Sequence, residues 1–581
     1  MFGFLVIVAL ITTFYGRKVC GISALTSEFP SLALDPLEQQ VVALVNGSKA
    51  YDCDLDLENI AFSRPDFRSA GSIGANETAN FIKEKFESFG LEAWLEPFKF
   101  TNWSLSDKPS LVIDEDGNKS TTNDQIPIGS FQCEHYSWPT PYDGVFADLV
   151  VLPLPPAANV SEIGVNPINM TEWSVDTTGK IVLIGREIRW NYAWQQTFVT
   201  KLNSQTPAAV VYTWWYPWMN FTPPMFSSAG GLPLSPFESY YWNLHIPSGF
   251  VNYEDGLLIR EKESANATVS ANVTVRSVIN INNGTHYNVV GKIAGYQNPE
   301  KIVIISGHYD TVMCAGFCDN GAGTAGVIEL ARVFAEAINR SYYQPQYTLL
   351  FVCFTGEELD LVGSGNFVKQ HKSDMANITD VINLDCIGSD NLYVTDTPGS
   401  DLNQTIIEAA QDLGINITSE EVGGSDQESF RVPWIVNYDI YYYWGVDLGI
   451  SDATPVSSSV MLDSYPLFYN DLWNMGTPGW IHTAYDNSTS TETLNWVEVG
   501  DLENHIKVAA LSIMRVSPNV IPEFPSITAT AFLLVITLLI CVLARTRSRL
   551  RTQDPNHSGF SGAKVVIAHH AKLNMDLNKK L

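Results

Sequence analysis

Three apolar runs in the second half of the chain each lead into residues that can bind a metal ion. The runs and the residues that follow them are 301–307 with His308, 347–354 with Glu357 and Glu358, and 381–384 with Asp385. Short apolar runs bounded by turn residues are typical of strands in a buried sheet. In an open α/β sheet, the loops that follow the strands form the ligand crevice. The sequence therefore predicts an α/β sheet with one polynuclear metal site where these strands end.

The residue types in these loops are suited to zinc. Zinc is bound by histidine nitrogen and carboxylate oxygen, and a catalytic zinc site keeps one position for water. Two zinc ions would be neutralised by the carboxylates of Asp319, Glu358 and Asp385 together with one hydroxide. A metal can lower the pKa of its water to about 7, and two metals about 3.5–4 Å apart can share that water. The set therefore predicts a site that produces a nucleophile near neutral pH.

Two further acidic residues have predicted roles beside the ligands. Glu357 and Glu358 are neighbours, and their side chains should diverge if the strand geometry continues. One of them can then bind metal while the other faces the water as a general base. Asp310 follows His308 by two residues and could accept the second imidazole N–H, which would fix its tautomer.

Five ordered motifs resemble the co-catalytic di-zinc aminopeptidases, a family that also includes carboxypeptidase Q-like enzymes, glutamate carboxypeptidase and the transferrin receptor. The motifs are His308-Tyr309-Asp310, Asp319-Asn320-Gly321-Ala322-Gly323, Gly356-Glu357-Glu358, Asn383-Leu384-Asp385 and His482-Thr483-Ala484-Tyr485-Asp486. An upstream stretch at residues 68–74 looks like the family's N-terminal signature, and the resemblance spans roughly residues 40–518.

The resemblance implies a role for each motif residue. His308 and Asp385 would bind one zinc ion, Glu358 and His482 would bind the other, and Asp319 would bridge them. Glu357 would be the general base, and a cis peptide bond would follow Asp319. One position departs from the family pattern, because Gln427 stands where a histidine is frequent. This departure leaves the metal set intact and bears on substrate contacts.

The resemblance also implies the fold, a mixed central sheet sandwiched by helices with a β-rich inserted protease-associated domain. Six segments are predicted along the chain. They are a signal sequence (1–24), the first part of the catalytic domain (30–136), the insert (137–262), the catalytic domain with the metal motifs (263–518), a transmembrane helix (527–544) and a basic cytoplasmic tail (545–581).

Both ends of the chain carry apolar runs that predict membrane targeting. Residues 2–15 resemble a signal sequence, with a retained anchor as the alternative. Residues 527–544 contain no charge and are followed by four arginines within residues 545–551, which predicts a membrane helix with a cytoplasmic tail. A removable sorting signal is the alternative there. The 15 Asn-x-Ser/Thr sites before this run agree with an exported, glycosylated protein at the cell surface.

Charge and cysteine content limit the remaining partners. The chain has 581 residues and a net charge of −29, which argues against nucleic-acid binding. Cys314 and Cys318 flank the loop before Asp319, either as a local disulfide or as soft ligands. The sequence leaves a homodimer open.

The predicted function is a zinc metallopeptidase that uses two zinc ions per chain and a zinc-bridged hydroxide to hydrolyse peptides from one end, most readily as an aminopeptidase. Three alternatives remain within the same resemblance: a carboxypeptidase or dipeptidase, a non-catalytic receptor-like ectodomain, and a single-zinc glutaminyl cyclase. The number of zinc ions per chain separates the two-zinc peptidase from the receptor-like ectodomain and from the single-zinc glutaminyl cyclase.

Overall fold

The computed structural model describes residues 34–520, with gaps, and residue 542. The gaps are residues 121–123, 153–174, 187–203, 215–244, 266–268, 390, 396–399, 421–423, 465–480, 483–485 and 490–496. All elements below belong to the compact unit that ends at Val520. The predicted signal sequence lies outside the described residues.

The first sheet has eight strands and carries the metal motifs. In sheet order the strands are β1 (Glu92–Leu105), β10 (Ser277–Ile293), β12 (Tyr347–Phe354), β11 (Asn298–His308), β13 (Ile378–Leu384), β16 (Ser459–Asp463), β14 (Leu392–Thr395) and β15 (Ile417–Glu420). The four strands β12, β11, β13 and β16 run parallel, whereas β1, β10 and β12 pair antiparallel, as do β16 and β14. The sheet is therefore mixed.

Ten helices accompany the two sheets in the described residues. They are α1 (Pro36–Val42), α2 (Gly47–Phe62), α3 (Ile73–Ser88), α4 (Tyr253–Ala265), α5 (Gly323–Asn339), α6 (Val362–Gln370), α7 (Asp401–Asp412), α8 (Gln427–Arg431), α9 (Pro433–Trp444) and α10 (Val499–Val516). Short helical turns at Phe317–Ala322 and Glu357–Leu359 lie between a strand and the following helix, and a third at Met375–Asn377 lies between α6 and β13.

Burial along β11 shows that both faces of the first sheet are covered. Successive side chains of a strand point to opposite faces, and Val303, Ile304 and Ile305 are all fully buried. Val303 and Ile305 belong to a core with residues of α3, α5 and α10, whereas Ile304 belongs to a core with residues of α6, α8 and α9. Parallel strands buried on both faces read as continuous apolar runs. The predicted mixed sheet sandwiched by helices is confirmed.

A second eight-stranded sheet interrupts the first. In sheet order its strands are β3 (Gln125–Pro127), β2 (Ser110–Asp114), β9 (Ser270–Thr274), β5 (Val145–Val151), β6 (Ile181–Arg186), β7 (Ala209–Trp214), β8 (Ser248–Val251) and β4 (Gln132–Cys133). All of them lie between β1 and β10, which pair with each other in the first sheet. The sheet spans residues 110–274 because β2 pairs antiparallel with β9. An insert of residues 137–262 stays a prediction within this wider unit.

The prediction of a single-pass membrane protein at the cell surface is wrong, because the helices of the described residues contradict it. In that part of the chain, no helix is long and apolar enough to cross a membrane. An apolar run indicates a span only where it forms a helix of about 20 residues. The run at residues 527–544 lies outside the described residues, apart from residue 542. We therefore withdraw the membrane partner and the surface location.

The predicted glycosylation sites differ widely in exposure. Asn339 and Asn377 are exposed. In contrast, Asn403 is only 2% exposed, and its side chain hydrogen bonds with Ser419. The motif alone therefore overstates the number of surface sites.

Candidate metal centre

The predicted strand ends lie side by side in the first sheet. β12, β11 and β13 are neighbouring parallel strands, and His308 at the end of β11 is paired with Phe354 at the end of β12. Asp385 directly follows β13, and the turn Glu357–Leu359 follows β12. Since these strands are parallel, their carboxyl ends share one edge of the sheet. The fold therefore brings the three predicted strand ends together.

Asp319 reaches the same edge from the turn between β11 and α5. The peptide bond between Asp319 and Asn320 is cis, as the resemblance implied. The Asn320 side chain donates from Nδ2 to the carbonyl of Leu384 at 2.9 Å and accepts the N–H of Gly323 at 2.9 Å. These bonds attach the Asp319 turn to the end of β13 and to the start of α5.

Five predicted ligands form two groups that share Asp319. In the first group, Nε2 of His308 lies 3.2 Å from Oδ1 of Asp319 and 3.4 Å from Oδ1 of Asp385. In the second group, Nε2 of His482 lies 2.9 Å from Oδ2 of Asp319 and 3.1 Å from Oε2 of Glu358. Within each group the ligand atoms lie within 4.8 Å of one another. The two oxygens of Asp319 thus face different groups.

Carboxylates surround both histidines. Burial alone would lower the pKa of His308, but the nearby Asp385 raises it well above its ordinary value. Burial would likewise lower the pKa of His482, and Glu358 raises it well above its ordinary value. Burial also raises the pKa of Glu358 to about 7. Negative charge therefore exceeds positive charge in this buried space, which is the environment that a cation stabilises.

Two ligand oxygens in these groups accept no hydrogen bond from the described residues. They are Oε1 of Glu358 and Oδ1 of Asp385, and both are buried. A buried acceptor left unsatisfied costs about 1–3 kcal/mol, and more when it is charged. Coordination to a metal removes that cost, and the combination of imidazole nitrogen with carboxylate oxygen is one that zinc accepts. The residues present therefore fit two zinc ions.

Glu357 and Glu358 face different histidines, although both lie in a helical turn and not in a continuation of β12, which ends at Phe354. Glu358 faces His482, whereas Oε2 of Glu357 lies 3.9 Å from Nε2 of His308. The Glu357 side chain is 13% exposed, compared with 3% for Glu358. Ligand atoms of both glutamates nevertheless lie within 4.8 Å of His308 and of each other. The geometry therefore puts both glutamates at the centre, with Glu357 more open to solvent.

Asp310 lies beside His308, but its main chain is nearer to the ring than its carboxylate. The carbonyl oxygen of Asp310 is 3.2 Å from Nδ1 of His308, and its Oδ1 is 3.6 Å away. Oδ1 of Asp310 instead accepts the backbone N–H of Glu357 at 3.3 Å. In the structure Asp310 therefore links the turn that carries both glutamates to the end of β11.

Two other sequence features lie in the core beside the centre. The side chain of Gln427 is 1% exposed and lies 3.4 Å from Nδ2 of Asn383. The departure from the family pattern is thus buried near the end of β13. Cys314 and Cys318, like all cysteines in the described part of the chain, are free thiols.

Three buried charged residues near the centre were given no role by the sequence analysis. They are Arg68, Asp426 and Asp486, whose exposed fractions are 0%, 0% and 4%. Arg68 and Asp486 belong to the motifs at residues 68–74 and 482–486, so motif membership was a signal for both. Burial raises the pKa of Asp426 to about 7.

Comparison with known proteins gives one family match. Residues 288–502 match the model of a family described as peptidase family M28. The match covers the strands β11, β12, β13 and β16 and all five predicted ligands.

Curated relatives are similar over part of their length. A glutamate carboxypeptidase 2 homolog from Caenorhabditis briggsae is 34% identical over 126 residues, which is 21% of this chain and 16% of the relative. A leucine aminopeptidase 2 from Arthroderma otae is 23% identical over 355 residues, covering 60% of this chain and 61% of the relative. A probable zinc metalloprotease from Pyrenophora teres f. teres is 33% identical over 110 residues, covering 17% of this chain and 22% of the relative. The chain thus matches less than two thirds of each relative.

Solved structures share the fold. A zinc aminopeptidase from Bacillus subtilis has a TM-score of 0.54 and 18% identity, with 81% of this chain and 95% of that chain covered. A peptidase M28 precursor from Shewanella amazonensis SB2B has a TM-score of 0.53 and 16% identity, with 83% and 97% covered. At these identities the likeness shows the arrangement of the elements and not the chemistry.

Proposed function

Because this chain belongs to peptidase family M28 through residues 288–502, we propose that it is a zinc-dependent exopeptidase, and specifically an aminopeptidase. The observation that carries the proposal is the position of Asp319, whose two oxygens face two separate groups of ligands. A carboxylate with one oxygen toward each group can hold two ions close enough to act together on one substrate. The names of the zinc metalloprotease and aminopeptidase relatives support the same reading.

The five ligands divide between two ions in this proposal. His308 and Asp385 would hold the first ion and Glu358 and His482 the second, and Asp319 could serve both groups because its two oxygens face different histidines. When bound, zinc supplies Lewis acidity toward the scissile carbonyl and lowers the pKa of water. The protein supplies a rigid set of ligands, since His308 and Asp385 extend from neighbouring strands.

Glu357 is the general base in this proposal. Its carboxylate is partly exposed and lies 3.9 Å from Nε2 of His308, so a water at the first group would be within its reach. Glu357 takes a proton from the attacking water and returns it to the leaving amine. Asp310 helps to place Glu357, because its Oδ1 accepts the backbone N–H of that residue.

Charge favours the amino end of the substrate. No ion pair between described residues joins a lysine or arginine to the five ligands, and the donors of Arg68 are directed at backbone carbonyls. Asp310, Glu357 and Asp426 add acidic groups beyond the ligands. Such a site attracts an ammonium group, whereas recognition of a terminal carboxylate is typically provided by arginine or lysine.

The experiment uses one peptide in three forms: free at both ends, acetylated at the amino end and amidated at the carboxyl end. The zinc-loaded full chain should trim the free and amidated forms from the amino end and leave the acetylated form intact. Cleavage of the acetylated form with protection by the amide would make it a carboxypeptidase. Cleavage of none, in a protein that binds no zinc, would favour the receptor-like alternative. Cyclisation of an amino-terminal glutamine with one bound zinc would favour the glutaminyl cyclase.

We also propose that the second sheet contains the protease-associated insert. Support comes from its place in the chain, between two strands that pair with each other in the first sheet. Such an insert would leave the catalytic unit discontinuous, with its first part ending at β1. Hydrogen exchange measured across residues 110–274 would test this, since an independent domain should open as one cooperative unit.

A further inference from the structure

The loop between His308 and Asp319 is held from one side by a buried arginine. Arg68 is 0% exposed. Its guanidinium donates from Nε to the carbonyl of Tyr309 at 3.0 Å, from Nη1 to Ala315 at 2.9 Å and from Nη2 to Gly316 at 2.9 Å. One planar group thus joins the start and the end of this loop, and its rigid fork fixes their separation.

A buried aspartate holds the other side of the same loop. Oδ1 of Asp486 accepts the backbone N–H of Cys318 at 2.7 Å, and Oδ2 accepts the N–H of Asp319 at 3.2 Å. The carbonyl of Asp486 also accepts the N–H of Phe317 at 3.4 Å. Arg68 therefore binds carbonyls of the loop, whereas Asp486 binds its amides. Together they satisfy carbonyls and amides of the chain from Tyr309 to Asp319.

The two charges are compensated inside the protein. Burial lowers the pKa of Arg68, and the carboxylates of Asp54 and Asp486 oppose that shift. Asp54 also packs against the turn that follows Asp319, since a Cβ on Gly321 would lie 2.1 Å from Oδ1 of Asp54. A buried charge is retained only with close partners. Arg68 therefore depends on the loop carbonyls and on these carboxylates.

The two metal groups depend on this loop to different extents. In the first group, His308 and Asp385 extend from β11 and β13, which are hydrogen bonded to each other. In the second group, Asp319 and His482 lie on separate loop segments, and Asp486 follows His482 by four residues. The carboxylate of Asp486 is therefore a direct link between the segment that carries His482 and the backbone of Asp319.

We infer that Arg68 and Asp486 are positioning residues that set the affinity for the metal ion shared by Asp319, Glu358 and His482. The inference rests on the proposed two-metal function. Loss of either residue weakens binding of the ion at Asp319, Glu358 and His482. The ion at His308 and Asp385 is retained, because these two ligands extend from strands. Neither residue touches the reacting atoms.

The test compares Asp486→Asn with the unchanged full chain. Asparagine keeps the size but can accept through one oxygen only, so one of the two amide bonds is lost. Zinc per chain is measured by mass spectrometry after dialysis at defined free zinc. We expect one ion to be retained and the dissociation constant of the second to rise about tenfold to a hundredfold, the scale of one hydrogen bond to a charged group. Asp255→Asn is the matched control, because Oδ2 of Asp255 accepts the backbone N–H of Ser130 at 3.0 Å in another part of the molecule.

Arg68→Lys tests the other side of the loop with the charge preserved. A lysine cannot span three carbonyls, so the same second ion should bind more weakly. Arg332→Lys is the control, since Arg332 also donates to a backbone carbonyl, that of Leu44, at 2.6 Å. Circular dichroism of the metal-free proteins shows whether each variant is folded.

Two readouts separate positioning from a general loss of structure. Titration with cobalt(II) should give two absorption phases in the unchanged chain and in both controls, with the second phase displaced to higher concentration in Asp486→Asn. Excess zinc should restore kcat in that variant with little change in KM. Two ions bound by both Asp486→Asn and Arg68→Lys with unchanged affinity would overturn the inference. Failure of the unchanged chain to bind two ions would instead refute the proposed function.

Discussion

The two adjacent glutamates offer a paired test of the proposed chemistry. Glu357→Gln and Glu358→Gln remove the same charge from neighbouring positions with almost no change in volume. Glu357 is the more exposed and faces His308, whereas Glu358 lies 3.1 Å from His482 within the second group. The first change should therefore affect proton transfer, and the second should affect metal binding.

The size of the first effect follows from the role assigned to Glu357. General-base catalysis contributes about a hundredfold to ten-thousandfold. A hundredfold loss in kcat raises the barrier by about 2.7 kcal/mol. Glutamine cannot take the proton, yet it still fits where the Glu357 carboxylate lies. Glu357→Gln should consequently keep two zinc ions and its thermal stability while kcat falls at least about a hundredfold.

Glu358→Gln should behave in the opposite way, with one of the two ions bound weakly and activity partly restored by excess zinc. Steady-state kinetics on an unblocked peptide and zinc analysis of the same samples give both quantities. Near-normal turnover by Glu357→Gln with two bound ions would refute the assignment. Loss of an ion from Glu357→Gln, with Glu358→Gln retaining two, would exchange the two roles.

Four further outcomes are expected. Asp319→Ala should weaken both ions, and two tightly bound ions in this variant, found by zinc analysis, would place the bridge elsewhere. Removal of metal by a chelator should abolish hydrolysis and lower Tm, because the buried carboxylates lose their counter-ions; an unchanged Tm would contradict this. His505 has its pKa lowered by burial from 6.5 to about 4. His505 is therefore neutral in the folded protein, whereas in the unfolded chain it takes up a proton below about pH 6.5. Stability consequently falls as the pH drops from about 6.5 toward 4, by up to about 3 kcal/mol. In urea unfolding, the loss of unfolding free energy between pH 7 and pH 4.5 should be smaller for His505→Gln than for the unchanged chain. An equal loss would show that His505 is not the source of this pH dependence. Phe334 is fully buried against Tyr343 and Phe351, so Phe334→Ala should lower the free energy of unfolding by about 3–5 kcal/mol; a loss under 1 kcal/mol would mean that the site collapses around the cavity.

The strand-borne part of the centre was predictable because its signals are local. His308 and Asp385 directly follow apolar runs, and parallel strands of one sheet must end at one edge. The directions of the paired glutamates did not follow from strand geometry, because β12 ends at Phe354 and both residues lie in a helical turn. The sandwich of helices about the mixed sheet was correctly expected from the resemblance.

The contacts that cross long stretches of sequence were not predictable. Arg68 meets the loop carbonyls across more than 240 residues, and nothing near Arg68 in sequence indicates them. The extent of the second sheet depends on such a contact too, because β2 pairs with β9 at the far end of the unit. Nδ1 of His308 lies 3.2 Å from the carbonyl oxygen of Asp310 and 3.6 Å from its Oδ1. No sequence pattern indicates which of these two oxygens is nearer to the ring.

Apolar composition was also a poor guide to membrane insertion. A charge-free run predicts a span from hydropathy alone, whereas the described residues contain no helix that could cross a membrane.

The central claim is that two zinc ions share the carboxylate of Asp319. Anomalous X-ray diffraction at the zinc absorption edge, on crystals of the zinc-loaded protein, tests it most directly. The account predicts two peaks about 3.5–4 Å apart, one beside His308 and Asp385 and one beside Glu358 and His482, with Asp319 between them. A single peak, or two peaks of which one lies away from Asp319, would contradict it.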